Sequence, residues 1–388
     1  MSGLRRVVVV GGSIAGTTAA TTLRELGFDG EITVIGDEPH APYARPPLSK
    51  AILRGDEPPE STALAVTAEG IDWIRGTAAT GLDIDAGLVR LEHGATVPYD
   101  GLVIATGGRA RHLVEGADLE GVHVLRTLDD AAGLSRAFAT RPRVVVVGGG
   151  YLGMEIASTA LGLGLQVTVV DMAPPLVAQL GPFLADIMTG AAREHGLIVK
   201  TSPGGARLTG SRAVDGVLLA DGRHVEADLV VTAVGCRPNT EWLRDSGIPL
   251  LPGVVVDSVC RVAPGIVAAG DVTASRRSAA GPPLRSPFWM NALTQGRVAA
   301  TALLDPGAAQ PAAETPYFWT EAFGLELKLA GRLPGQGVPQ VIAGDLADLS
   351  VLLAWPRSDG TGIAAALNHR IPLSRLRRAA QLRPMEIA

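Results

Sequence analysis

The stretch Arg143–Asp171, RVVVVGGGYLGMEIASTALGLGLQVTVVD, restricts the folds open to this chain more than any other. It begins with a valine run, Val144–Val147, that reads as a strand buried on both faces. Gly148, Gly150 and Gly153 follow in the order G-x-G-x-x-G. An apolar, Ala-rich helix is expected from about Leu152 to Leu163, and a second strand, Val167–Val170, ends at Asp171. Strand, glycine turn, helix, strand and terminal carboxylate together make a dinucleotide-binding βαβ unit. Gly148 permits the tight turn, Gly150 lets backbone approach a pyrophosphate, and Gly153 lets helix and sheet pack closely. The helix start, at Tyr151 and Leu152, supplies unpaired N–H groups and partial positive charge for the phosphates. A carboxylate at Asp171 accepts hydrogen bonds from a ribose 2′-hydroxyl and repels a 2′-phosphate. No Arg follows in Met172–Pro175, so this unit is expected to prefer NADH to NADPH.

The pattern occurs a second time, nearer the N-terminus. Val7–Val10 reads as a buried strand and runs into Gly11-Gly12-Ser13-Ile14-Ala15-Gly16, with the small Ser13 in place of the middle glycine. A helix from about Ala15 to Leu26 and a strand, Ile32–Ile35, complete the unit. Gly36 stands where an acidic residue commonly ends that strand. Asp37 or Glu38, just beyond, is expected to take the ribose, with Asp37 preferred. One chain with two dinucleotide sites implies a held flavin and a diffusible nicotinamide nucleotide.

A length of 388 residues suggests two or three domains. The net charge of −5 carries no sign of a nucleic-acid binder. No apolar run is long enough to span a bilayer. The two cysteines, Cys236 and Cys260, offer no C-x-x-C, no zinc spacing and no disulfide framework. Both are expected to be buried thiols, and no metal site is expected. Many two-nucleotide flavoproteins carry a redox cysteine near their first βαβ unit, where this chain has Ala41-Pro42-Tyr43-Ala44. Met1–Arg6 leads straight into a strand, so the cytoplasm is the expected compartment.

Ser286 and Pro287 read as N-cap and first residue of a helix. Thr127 reads as another N-cap, with Asp129 and Asp130 in the first turn behind it. Glu155 is expected in the first turn of the second fingerprint helix, where an acid suits the helix dipole. Arg45-Pro46-Pro47-Leu48-Ser49-Lys50 is by its prolines a rigid turn with solvated Arg45 and Lys50.

That string resembles the RPPLSK segment of the FAD- and NADH-dependent ferredoxin reductases that serve oxygenases and cytochromes P450. The wider group includes rubredoxin reductases and apoptosis-inducing factor. The resemblance covers essentially the whole chain, and further motifs follow in the family's order. They are Ala105-Thr106-Gly107, Gly235-Cys236-Arg237-Pro238-Asn239, Ala268-Ala269-Gly270-Asp271 and Phe318-Trp319-Thr320-Glu321-Ala322. The last is similar to the family's FWSDQ but departs from it at Glu321 and Ala322.

The resemblance implies roles for single residues. Arg45 and Lys50 would lie beside the flavin ring, Ala79 at the adenosine of FAD, and Arg126 would reach FAD from a crossover. Ala105, Thr106 and Gly107 would form the exit from the first half of the FAD domain. Gly270 and Asp271 would hold the ribityl chain and pyrophosphate. Trp289 would touch FAD, and Trp319 would lie near the flavin. Glu155 would face the nicotinamide and pair with Lys50, and Gly235 would approach NADH. Lys50, Glu155 and Trp319 would tune or gate the ring.

The expected fold is α/β, with two Rossmann-like domains in a glutathione-reductase-like arrangement and an α+β C-terminal interface domain. The expected boundaries are 1–108 with 238–310 for FAD, 109–237 for NAD and 311–388 for the interface domain. The resemblance implies FAD, with NADH as diffusible cosubstrate. It also implies an iron–sulfur ferredoxin of the 2Fe–2S or a similar type as partner and, through it, a P450 or another oxygenase. A monomer or homodimer is expected. Arg375, Arg377 and Arg378 are candidates for docking an acidic ferredoxin, or form a solvated face. The rival readings are an NADH oxidoreductase acting on quinone or dioxygen, and an NADH-sensing flavoprotein with incidental turnover.

Overall fold

The computed structural model describes residues 3–66, 68–113, 115–276, 281–311 and 316–383. The sequence over 306–316 is rich in Ala and Pro and reads as a linker, of which residues 312–315 lie outside the described residues. The chain divides into two compact units. One is Met1–Ala44, Thr62–Arg109 and Arg237–Glu314; the other is Arg45–Ser61, Ala110–Cys236 and Thr315–Ala388.

The first unit is built on a six-stranded sheet. Its order is Arg261–Ala263, Ile266–Ala268, Gly101–Ile104, Arg6–Val10, Glu31–Ile35 and Ile71–Ile74. All pairs are parallel except the antiparallel edge at Arg261–Ala263. The valines of the central strand alternate between two cores. Val7 and Val9 pack with Ala19, Leu23, Ile32 and Val103, while Val8 and Val10 pack with Ile35, Leu102 and Ile104. Period-two alternation with both faces covered is what a continuous apolar run demands. Each such fully buried side chain contributes roughly 1.5–3 kcal/mol. The helices Ile14–Glu25 and Trp289–Leu304 supply Ala19, Leu23, Ala299 and Leu303 to the first core. They cross closely, because a Cβ on Gly296 would lie 2.7 Å from the Ala15 carbonyl oxygen. A three-stranded antiparallel meander, Ala79–Asp83, Leu88–Leu91 and Thr96–Pro98, feeds Leu82, Val89 and Leu91 into the second core.

The second unit holds a five-stranded parallel sheet in the order Ile198–Thr201, Gln166–Asp171, Arg143–Val147, Leu229–Thr232 and Val122–His123. Val145 and Val147 pack with Leu208 and Val217, from the antiparallel sheet Ala206–Gly210, Val214–Leu219 and His224–Glu226. A separate five-stranded antiparallel sheet runs Tyr317–Ala322, Leu325–Gly331, Ile363–Leu367, Ser350–Trp355, Gln340–Asp345. The helix Leu373–Ala380 covers one face of it, with Leu376 and Ala379 against Leu352, Ala364 and Ala366.

Each of these two nucleotide-type sheets has its own clasp, of the same kind, where its central strand begins. Asp100, just before the exit strand, accepts the backbone N–H of Arg6 at 2.9 Å and its guanidinium at 2.9 Å. Asp228 does the same for Arg143, at 2.8 and 2.7 Å. The neighbouring guanidinium holds each carboxylate down to about 2.

One helix start differs from expectation. The helix near Ser286 begins at Trp289 with Phe288 as N-cap. The Ser286 carbonyl instead accepts from the Phe288 N–H at 2.8 Å and from Asn291 Nδ2 at 2.8 Å, which holds Ser286 and Pro287 outside the helix. Cys260 is buried, which pushes its thiol up to about 12, whereas Cys236 is only half-buried.

Candidate functional site

Each unit carries one glycine turn at the carboxyl end of its central strand. In the first unit Gly11 has φ +117°, and a Cβ there would sit 2.1 Å from the Ala105 carbonyl oxygen. Only glycine meets both demands. Ile14 and Ala15 open the helix Ile14–Glu25, and a Cβ on Gly16 would fall 1.8 Å from the Gly11 carbonyl oxygen. Ala105 donates its N–H to Val10 at 2.7 Å, keeping the exit strand beside the turn. Thr106 Oγ1 donates to the Asn239 carbonyl at 2.7 Å, and the Asn239 N–H reaches the Gly107 carbonyl at 3.0 Å.

The Gly270–Asp271 turn comes to the same place. A Cβ on Gly270 would lie 2.8 Å from the Ala15 Cβ. Buried Gln295 accepts the Gly270 N–H at 2.9 Å, and Arg285 Nη2 donates to the Asp271 carbonyl at 2.9 Å. Asp37 is exposed just past the second strand, while Glu38 accepts the Tyr43 hydroxyl. Thr77 donates its N–H to Gly36 at 3.0 Å, bringing the segment before Ala79 alongside. Trp289 is the first residue of its helix. The first unit thus gathers Gly11, Ser13, Ile14, Ala15, Gly16, Ala105, Thr106, Gly107, Gly270 and Asp271 around one turn.

Arg45, Lys50, Arg126 and Trp319 belong to the second unit. There Arg45 Nη1 donates to the Arg126 carbonyl at 2.7 Å. Gly148 has φ +110°, with the Ala233 carbonyl oxygen 2.4 Å from a hypothetical Cβ, and Gly153 would bring a Cβ within 1.9 Å of the Gly148 carbonyl oxygen. Asp171 accepts the Gly149 N–H at 2.6 Å and the Met172 N–H at 2.6 Å. Gly235 has φ +99°, with open space where a Cβ would point. The Tyr151 ring packs at a tilt of 39° on Phe318, 4.1 Å between centroids, and burial pushes its hydroxyl up.

Both fingerprint helices start without a cap. Ser13 and Gly150 are the N-cap residues, neither start has a side-chain cap, and neither first turn holds an acid. The helix Leu128–Phe138 shows what a finished start looks like. Thr127 Oγ1 accepts the Asp130 N–H at 3.1 Å, and the Asp130 carboxylate accepts the Thr127 N–H at 2.9 Å. Helix-start N–H groups need partners, and an uncapped start behind a glycine turn is built for an anion. Two such starts fit the pyrophosphates of FAD and NADH. Among the described residues no group of three or more His, Cys, Asp or Glu suits a metal ion. None of their helices is long and apolar enough to cross a membrane.

A buried polar cluster lies in the second unit. Glu155 is 7% exposed. It sits in the second turn of the helix Tyr151–Gly162, not the first, so the dipole does not account for it. Its Oε2 takes Lys50 Nζ at 2.7 Å and Ser49 Oγ at 2.6 Å, and its Oε1 takes Thr320 Oγ1 at 2.7 Å. Lys50 also donates to the Pro46 carbonyl at 3.2 Å. The expected Lys50–Glu155 contact is therefore present.

Trp319 does not join this cluster. Neighbouring side chains on a strand point to opposite faces. Phe318 and Thr320 face the helix Tyr151–Gly162, while Trp319 stacks on Tyr317, which packs against the core under the helix Leu373–Ala380.

Ser49 and Thr320 escaped the sequence reading as ligands of Glu155. A signal existed on the helix itself. Glu155, Ser158 and Thr159 form a polar stripe at i, i+3, i+4 on an otherwise apolar helix. Each member docks a remote segment: Thr159 Oγ1 donates to the Ser49 carbonyl at 2.7 Å, and Ser158 Oγ accepts the Phe323 N–H at 2.7 Å.

The family model described as pyridine nucleotide-disulphide oxidoreductase matches residues 5–296. The ferredoxin reductase component of chlorobenzene dioxygenase from Cupriavidus sp. (strain PS12) is 38% identical over 359 residues, covering 89% of this chain and 85% of that protein. Rhodocoxin reductase from Rhodococcus erythropolis is 38% identical over 339 residues, covering 85% of this chain and 78% of that protein. Among solved structures, the covalent putidaredoxin reductase–putidaredoxin complex superposes with TM-score 0.87 at 31% identity, covering 97% of this chain and 92% of that one. The ferredoxin reductase for the CYP199A2 system from Rhodopseudomonas palustris gives TM-score 0.86 at 31% identity, covering 94% of this chain and 91% of that one.

Proposed function

This chain belongs to the pyridine nucleotide-disulphide oxidoreductase family, and within it we propose that the protein works as an NADH-dependent ferredoxin reductase. When bound, FAD supplies the conversion of a hydride donor's electron pair into single electrons for an iron–sulfur ferredoxin that serves an oxygenase. The observation that carries the reading is the duplicated, uncapped glycine turn. One turn keeps a cofactor and the other admits a cosubstrate. The family's name mentions a disulphide, but neither cysteine of this chain is in one, and Ala41–Ala44 carries none. The redox work therefore falls to the flavin, and the protein binds, orients and excludes water.

The site assignments are part of the proposal. Amides around Gly11, Ser13, Ile14, Ala15 and Gly16 hold the FAD pyrophosphate, Asp37 the ribose, and Gly270 and Asp271 the ribityl end. Gly148, Gly150, Tyr151, Leu152 and Gly153 hold the NADH pyrophosphate. Asp171 takes the adenosine ribose and repels a 2′-phosphate, and Gly235 leaves space beside the nucleotide. Lys50 and Glu155 form the charged pair at the nicotinamide end. The domain division proposed is 1–108 with 238–310 for FAD, 109–237 for NAD and 311–388 for the C-terminal domain. We place the protein in the cytoplasm, a reducing compartment that suits a chain without disulfides.

Of the three arginines considered for docking, Arg375 and Arg378 are exposed, while Arg377 turns its Nε out of solvent. Arg375→Glu with Arg378→Glu should raise the KM for an acidic ferredoxin, most at low salt, and leave NADH-driven flavin reduction untouched. An unchanged salt dependence would remove this face from docking. The central test is anaerobic titration with NADH, followed by cytochrome c reduction with and without a 2Fe–2S ferredoxin. Bleaching of the yellow chromophore and ferredoxin-dependent turnover are expected. A colourless protein that takes up no FAD sinks the reading.

A further inference from the structure

Glu155 is the one acid on the helix Tyr151–Gly162, and its carboxylate is filled by donors far away in sequence. Ser49 Oγ lies 106 positions off and Thr320 Oγ1 165 positions off. The segments carrying them do not depend on Glu155 for docking. Thr159 holds the Ser49 carbonyl, Ser158 holds the Phe323 N–H, and the Phe318 ring packs on Tyr151. A buried carboxylate adds desolvation cost to an interface that is already made. Its presence calls for a reason other than packing.

The geometry divides the labour. Oε2 receives both Ser49 Oγ and the Lys50 ammonium, whereas Oε1 receives Thr320 Oγ1. The terminal torsion of a glutamate is soft and roughly two-fold. A donor on Oε1 therefore fixes which way Oε2 points, and with it the seat of the Lys50 ammonium. Lys50 itself keeps only 14% of its side chain exposed.

We propose that Thr320 is a positioning residue for nicotinamide chemistry. Its hydroxyl locks the Glu155 carboxylate so that Oε2 holds Lys50, which makes the first strand of the C-terminal sheet part of the hydride-transfer machinery. The proposal rests on the reductase reading given above. Ser49 Oγ is the second brace, acting on the same oxygen as Lys50.

Thr320→Val keeps the shape and removes the donor, and Thr320→Ser keeps the donor. In the FAD-loaded protein, stopped-flow flavin bleaching by NADH should slow about tenfold in Thr320→Val, equivalent to ~1.4 kcal/mol at the barrier. NADH affinity should stay unchanged, and Thr320→Ser should restore the rate. A second readout needs no turnover. The chain has three lysines, Lys50, Lys200 and Lys328, so acetic anhydride labelling read by mass spectrometry resolves each one. Labelling of Lys50 relative to the other two should rise several-fold in Thr320→Val and return in Thr320→Ser. If Thr320→Val does not fold, Ser49→Ala replaces it and should shift the same two readouts in the same direction. Wild-type bleaching and wild-type Lys50 labelling in a folded Thr320→Val protein overturn the proposal. If the wild-type flavin is not bleached by NADH at all, the reductase reading fails instead, while the labelling ratio still decides whether Thr320 seats Lys50.

Discussion

The turns at Gly11–Gly16 and Gly148–Gly153 share a backbone and differ in the side chains that close them. In both, the first glycine faces a carbonyl of the exit strand, Ala105 or Ala233, and the third faces the carbonyl of the first. Both central strands are clasped at their start by an Arg–Asp pair. The difference lies at the end of the second strand. In the second unit Asp171 reaches back to the Gly149 N–H at 2.6 Å. In the first, Gly36 occupies the corresponding place, and even a Cβ there would stop 3.6 Å from the Gly12 nitrogen. The second unit's turn thus carries a built-in acid aligned by its own loop. The first unit's turn leaves that place to backbone, with its acids, Asp37 and Glu38, one and two residues later. A selective cosubstrate site gains from a fixed carboxylate, whereas a cofactor that stays bound is held by contacts along its whole length.

The largest test of this comparison changes the third glycines. Gly16→Ala and Gly153→Ala each place a Cβ within 2 Å of a backbone oxygen, at 1.8 and 1.9 Å. Each should cost upwards of about 4 kcal/mol locally. Gly16→Ala should purify colourless. Gly153→Ala should stay yellow but show no saturable response to NADH in a spectral titration. If both lose FAD alike, the division of labour between the turns is wrong.

Next comes Lys50→Ala, which touches only the second turn's helix. It leaves Glu155 buried beside two hydroxyls and no cation, at a cost of about 3 kcal/mol. The melting temperature should fall and stopped-flow flavin reduction should slow, with FAD content per chain unchanged. Unchanged single-turnover reduction would take Lys50 out of the mechanism.

A smaller effect is expected from Asp171→Gly, which makes the second turn resemble the first. Loss of one charge-assisted hydrogen bond to the ribose should lower kcat/KM for NADH about tenfold. The NADH-to-NADPH ratio should fall with it. A ratio that does not move would show that the acid is structural only.

The smallest expected effect concerns the clasps. Asp100 and Asp228 are both held down to about 2 by their arginines. Their stabilisation is present above the ordinary carboxylate range near 4 and is lost as pH falls through about 2. Both pairs are partly open to solvent, so Asp100→Asn and Asp228→Asn should each cost no more than about 1 kcal/mol. Melting curves between neutral pH and the acid limit should show the two variants losing the same acid-dependent increment. A large asymmetry would break the parallel between the units.

Much of this was legible because it is local. Valine runs specify strands buried on both faces, and glycine turns are set by backbone clearance within a few residues. The Thr127–Asp130 capping box lies within one turn. The misplaced features were those whose outcome depends on a neighbour from elsewhere. Ser286 looked like an N-cap until Asn291 took its carbonyl. Glu155 was expected in the first turn with Lys50 as its partner; it lies one turn later, and besides Lys50 it holds Ser49 and Thr320. Cys236 proved half-buried where a buried thiol was expected.

By itself the sequence determined the family, the two dinucleotide turns and the strands that carry them, because glycine clearance and apolar period act over distances of one to four residues. Tertiary structure alone decided that Ser49 and Thr320 meet on one carboxylate, that Trp319 faces away from it, and that Arg377 turns inward. Those outcomes follow from which segments pack together, for Ser49 and Thr320 across more than a hundred residues, and no local pattern encodes which face of a strand meets a distant helix.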